Sequence, residues 1–98
     1  MSRDAVLAIL RAHEAPLRRR GVTRAALFGS VARGESTAGS DIDIMIEIDP
    51  TARIDLYGYV GITQYIEALF SARVDVAERE QLIDRVRETA EQDAVYAF

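Results

Sequence analysis

The sequence predicts a small α/β (α+β) fold, with helices packed on a three- or four-stranded sheet in the order αβαβαβα. Three observations predict it. Ile42, Ile44, Ile46 and Ile48 alternate with Asp43, Met45 and Glu47, the period of a strand with one buried face. Two further apolar runs, Val22 to Phe28 and "ARVDVA", have strand character. Between and around these runs, apolar residues recur at helical spacing. The 98 residues make one domain, read as 1–98, and are too few for two separate cores.

In chain order, Val6, Ile9, Leu10 and Leu17 follow helical spacing from Asp4 onward, with Ser2 placed to cap the start. Pro16 breaks or restarts that helix, and Gly21 fits its stop. Val22 to Phe28, bounded by glycines, is the first strand, and Pro50 ends the second. Leu56, Val60, Thr63, Ile66 and Phe70 make the next helical stripe. Gly58 and Gly61 weaken that helix by about 1 kcal/mol each relative to alanine. Val74 and Val76 take one face of the third strand, Arg73 and Asp75 the other. Leu82, Ile83, Val86 and Ala90 make the last helix.

Composition excludes several classes. A hydrophobic share of 49% with 29% charged residues is that of a globular chain, not a disordered one. Without cysteine there is no disulfide, thiolate metal site or cysteine nucleophile, which fits a reducing compartment, the cytoplasm. The N-terminus reads as an amphipathic helix and not a signal peptide, and no apolar run approaches the ~20 residues of a membrane helix. The formal charge, 12 − 16 = −4, argues against direct nucleic-acid binding. Arg18, Arg19 and Arg20 read as a solvated helix end, and His13 as a helix-surface residue. The four tyrosines, Tyr57, Tyr59, Tyr65 and Tyr96, read as packing residues.

The chemistry is concentrated in "LFGSVARGESTAGSDIDIMIEID", Leu27 to Asp49. Asp41 and Asp43 are two apart on an extended segment, so both side chains leave the same face. Adjacent carboxylates repel and raise each other's pKa unless a cation neutralises them. Oxygen ligands of this kind suit Mg²⁺ or Mn²⁺, which bind few carboxylates together with phosphate oxygens. Glu47 lies ~13 Å along the strand from Asp43, too far to share an ion. Upstream, Gly29-Ser30 turns the chain from the first strand into a short helix near Val31. Glycine admits close approach, free N–H groups receive an anion, and Ser30 adds a hydroxyl. Arg33 either contacts phosphate or pairs with a neighbouring acid. No lysine-containing P-loop is present.

Gly29-Ser30, ten residues, then Asp41-Ile42-Asp43, together with Ala32-Arg33-Gly34 and Ser40, resembles the signature of the DNA polymerase beta-like nucleotidyltransferases. The string "LFGSVARGESTAGSDIDI" and the ending "EQDAVYAF" are similar to the minimal nucleotidyltransferases, the MNT proteins, over nearly the whole chain. The resemblance implies their small fold, with a three- to four-stranded mixed sheet. It implies a third carboxylate on a later strand, which Asp75 matches. It also implies two Mg²⁺ ions on Asp41, Asp43 and Asp75, ATP as substrate, and a nucleotide held by Gly29, Ser30 and Arg33.

Larger members of that superfamily add an acceptor-binding domain, and after Asp75 only 23 residues remain here. The resemblance therefore implies a protein acceptor, a HEPN-domain toxin that cleaves RNA. The chain would transfer AMP to a tyrosine of that toxin, as an antitoxin in a hetero-oligomer with it. A binding module that blocks its partner by contact, and a transferase acting on a small molecule such as an aminoglycoside, are the alternatives.

Overall fold

The isoleucine alternation forms the central strand. In the computed structural model, which describes residues 1–35, 37 and 39–98, that strand is β2 (Ile42–Ile48). It pairs antiparallel with β1 (Val22–Phe28) and parallel with β3 (Val74–Glu78). On its other edge β1 pairs with β4 (Val95–Tyr96), giving a four-stranded mixed sheet in the order β3-β2-β1-β4.

Ile42, Ile44 and Ile46 face the main core with Ala25 and Leu27 of β1. This core lies under α1 (Arg3–Ala12), α2 (Glu14–Arg19) and α4 (Leu56–Glu67). The second face of β2 is covered as well, contrary to the single buried face expected. Met45 packs there with Ala26 and with Ala90 of α5 (Asp84–Asp93). That cover takes the middle of the face and leaves Asp43 and Glu47 half-buried toward either end.

Local signals place the helix ends. The Ser2 hydroxyl accepts from the Ala5 N–H at 3.2 Å and caps α1. Pro16 restarts the helix, as the third residue of α2, where its missing N–H has no helical partner to lose. Gly21 follows at φ +101, and a Cβ there would strike Ile54. Of the three consecutive arginines, Arg18 pairs with Glu14 at 2.7 Å and lies over the Phe98 ring, while Arg20 lies over Tyr65. The His13 Nδ1–H donates to the Ile9 carbonyl at 2.9 Å, and the ring meets Tyr65 edge-on.

Three expectations are corrected. The α4 stripe is misplaced: the buried arc is set by Ile62 and Ile66, four apart, while Leu56 is 73% exposed and Phe70 lies beyond the helix. Tyr57 is 87% exposed and belongs to neither core cluster of the described residues, unlike Tyr59 and Tyr65. The last helix begins at Asp84, so Leu82 and Ile83 precede it, and of the expected stripe only Ala90 is buried on it. A short 3₁₀ turn, Arg79–Gln81, and the two residues of β4 went unpredicted, since neither is long enough to show a period. No described helix is long and apolar enough to cross a membrane.

Candidate active site

Strand register assembles the site. Phe28 of β1 stands opposite Asp43 of β2, and Asp43 stands opposite Asp75 of β3. Directly opposed residues share a face, so Asp75, Asp43 and Phe28 form one row across three strands. The Ile42 N–H donates to the Arg73 carbonyl at 2.9 Å and fixes this register where β2 and β3 begin. Asp41 does not lie on the strand as expected. β2 begins at Ile42, and Asp41 stands just before it, 3.9 Å from the exposed Arg73 guanidinium.

The Gly29–Ser30 turn closes over the row. α3 (Gly29–Ala32) is a single turn, anchored by Val31 and Ala32 in the main core. The N–H groups of Arg33, Gly34 and Glu35 donate back to Gly29, Val31 and Ser30. Helix geometry leaves the N–H groups of Ser30 and Val31 without a partner inside the turn. Gly29 sits at φ +74, and a Cβ there would land on the Asp43 carboxylate, with its Cγ at 3.2 Å. The glycine therefore serves two ends: a left-handed backbone and room for the central aspartate.

Electrostatics single out Asp43. Its pKa is raised above the ordinary carboxylate value, first by burial, then by the charges of Asp75 and Asp41. Arg33 acts weakly in the other direction. The donor set around Asp43 is all oxygen and short of positive charge, which suits Mg²⁺ or Mn²⁺. Among the described residues, no three acidic or imidazole side chains already converge as a ligand cluster. Register presets the pair Asp43 and Asp75, and Asp41 is the member that would have to join them.

Of the two readings left open for Arg33, the structure shows pairing with acids. It meets Asp93 of α5 at 2.7 Å and Glu35 at 3.1 Å, tying the turn to the last helix. Ser40 closes the loop before β2, its hydroxyl accepting from the Thr37 N–H at 2.8 Å. Phe28 and the α5 side chains beside it were not anticipated as neighbours of the site. Strand parity placed Phe28 on the aspartate face only once the β1–β2 register was known. A larger cavity, about 720 Å³, lies at the far end of β2, lined by Glu47, Asp49, Arg53, Asp55, Tyr59 and Glu78 among others. It shares no residue with the carboxylate row, so size and chemistry point to different ends of the sheet.

Comparison with known proteins agrees with the geometry. Residues 10–97 match the family described as the nucleotidyltransferase domain. The chain is 33% identical over 94 residues to the protein adenylyltransferase MntA of Thermococcus cleftensis, covering 95% of this chain and 93% of that one. Its fold superposes on a solved minimal nucleotidyltransferase with a TM-score of 0.80 at 29% identity, covering 97% and 95% of the two chains. It also superposes on a chain from the complex of a tri-AMPylated Shewanella oneidensis HEPN toxin with MNT antitoxin. There the TM-score is 0.64 at 15% identity, over 94% of this chain and 71% of the other.

Proposed function

The chain belongs to the nucleotidyltransferase family, and from that premise we propose that it is a metal-dependent protein adenylyltransferase that disarms a HEPN-domain toxin as its antitoxin. It moves AMP from ATP to a hydroxyl of the toxin, a tyrosine. The observation that carries this reading is the row of Asp75 and Asp43 running to the Gly29–Ser30 turn across adjacent strands.

Asp41, Asp43 and Asp75 would hold two divalent cations, which when bound neutralise the triphosphate and make its α-phosphorus electrophilic. Asp75, the exposed outer member, takes the proton of the incoming hydroxyl. The hydroxyl oxygen bonds to the α-phosphorus while the bond from that phosphorus to the α,β-bridging oxygen breaks. Pyrophosphate leaves toward the free N–H groups and hydroxyl of the Gly29–Ser30 turn. In-line displacement needs nucleophile and leaving group on opposite sides of the phosphorus. Asp75 and the turn stand on opposite sides of Asp43 in the sheet order, which supports that direction of travel.

The acceptor reading draws support from the T. cleftensis protein, named an adenylyltransferase, and from the fold's presence beside a tri-AMPylated HEPN toxin. AMP adds a bulky anionic group, and near an RNase site it would exclude an RNA phosphate by charge and by volume. Incubation with ATP, Mg²⁺ and the HEPN partner should raise the partner's mass by whole AMP units on tyrosine. Protection should persist after the antitoxin is removed. The double variant Asp41→Asn with Asp43→Asn, co-expressed with the toxin, decides between chemistry and contact. Rescue of growth equal to wild type would replace the enzymatic reading with a blocking one. An unmodified partner beside a nucleotidylated aminoglycoside would favour the small-molecule reading.

A further inference from the structure

A groove runs beside the carboxylate row, between β1 and the last helix. Val86, Thr89, Ala90 and Asp93 are spaced along one face of α5, and that face looks across to Phe28 and Gly29. The space between them is about 300 Å³, at the lower end of small-ligand pockets. Because Phe28 is the register partner of Asp43, the groove opens directly beside the central carboxylate.

Its walls carry Phe28, Val86 and Ala90, with Arg85 beside them. Phe28 is half-buried and offers a ring on the open side of the sheet. Val86 is 42% exposed. Three of the four polar side chains that line it are engaged within the protein. Arg33 and Asp93 close one end by pairing at 2.7 Å, and the Thr89 hydroxyl donates to the Arg85 carbonyl at 3.2 Å. An aromatic side chain facing an aliphatic one, with few free hydrogen-bonding groups, suits a flat heterocycle better than a sugar or a phosphate chain.

We propose that this groove binds the base of the nucleoside triphosphate, stacked between Phe28 and Val86, with its phosphates reaching the Gly29–Ser30 turn. The inference rests on the nucleotidyltransferase reading of that turn. It adds what the carboxylates and the turn lack, since neither contacts anything beyond phosphates and cations. Recognition by stacking and shape also sets the specificity. Adenine and guanine should bind alike, and the smaller pyrimidines less well, because stacking area sets the affinity.

Calorimetry on the full chain with Mg²⁺ separates the base from the phosphates. The probes are AMP-PNP, GMP-PNP and inorganic tripolyphosphate. AMP-PNP and GMP-PNP should bind with similar affinity, and each about tenfold tighter than tripolyphosphate. Val86→Ser, a surface change, and Phe28→Leu, which keeps apolar volume, should each weaken AMP-PNP by roughly five- to tenfold and leave tripolyphosphate unchanged. Nucleotide affinity unaffected by Val86→Ser, or lost in equal proportion with tripolyphosphate, overturns the base groove and leaves the phosphate site standing. Failure of the wild-type chain to take up any of the three ligands overturns both.

Discussion

On one face of β2, Ile42, Ile44 and Ile46 are fully buried under helices, while on the other Asp43 is half-exposed and crowded by Asp75 and Asp41. The two sets interleave residue by residue along one strand. The isoleucine face does what the rest of the sheet does, removing apolar area from water. The aspartate face opposes folding, since like charges are brought together and partly desolvated. Alternation lets both coexist: a strand pinned by its apolar face can hold the other face in an arrangement that would not form unaided. The site is therefore stable because of what lies behind it.

The largest expected effect breaks the aspartate face alone. Asp43→Asn keeps shape and removes charge, so transfer should fall by on the order of 10³-fold or more. Secondary structure should be unchanged by circular dichroism. Transfer at the wild-type rate would remove the carboxylate row from the mechanism. One residue along, Ile44→Ala breaks the other face. A fully buried isoleucine cut to alanine costs about 3 kcal/mol of stability by denaturant unfolding. Transfer per folded molecule should stay near wild type, and a large loss there would mean that the two faces are not separable.

Much of this division is visible in the sequence, because period two is a local signal that needs no knowledge of partners. The Ile–Asp alternation, the Gly29–Ser30 turn and the third strand carrying Asp75 all lie within short windows. What escapes is set at a distance. α5 buries only Ala90 and is held by ion pairs, Arg33 to Asp93 and Arg79 to Glu91, whose partners lie far off in sequence. Reading Leu82, Ile83 and Val86 as a buried stripe followed helical spacing, but nothing in that spacing says how much sheet remains to be covered. The partnership of Phe28 with Asp43 is likewise a fact of register, and β4 exists only because β1 has a free edge.

A third variant tests where the two faces touch. Gly29→Ala adds a Cβ at φ +74, which costs about 1–2 kcal/mol in backbone strain for a residue other than glycine. The sequence alone suggests that such a Cβ would intrude on phosphates. The structure places it against the Asp43 carboxylate instead. Transfer should thus fall even at saturating ATP, because the aspartate is displaced. A variant that raises only the KM for ATP would return the glycine's role to phosphate approach.

The smallest effect concerns stability without ligand, and it has the opposite sign from the loss of activity. Asp43 has a folded pKa above its ordinary value of 3.8, so the folded chain holds that proton more tightly than the unfolded one does. Stability contributed by the protonated form is fully present below the ordinary value and is lost as pH rises through the raised one. At neutral pH the ionised Asp43 is a net cost. Asp43→Asn should then stabilise the chain in chelator at pH 7 by about 0.5 kcal/mol, the scale of a solvent-screened charge pair. The gain should shrink as pH falls and vanish below about pH 4, where wild-type Asp43 is itself neutral. Added Mg²⁺ should narrow the gap from the other side, because a cation held by the row stabilises wild type more than the variant. Thermal unfolding of both proteins at pH 7, with and without Mg²⁺, and again near pH 4 measures all three differences. A variant less stable than wild type in chelator would mean that Asp43 supports the fold as well as the chemistry, and the two faces of β2 would no longer divide the labour.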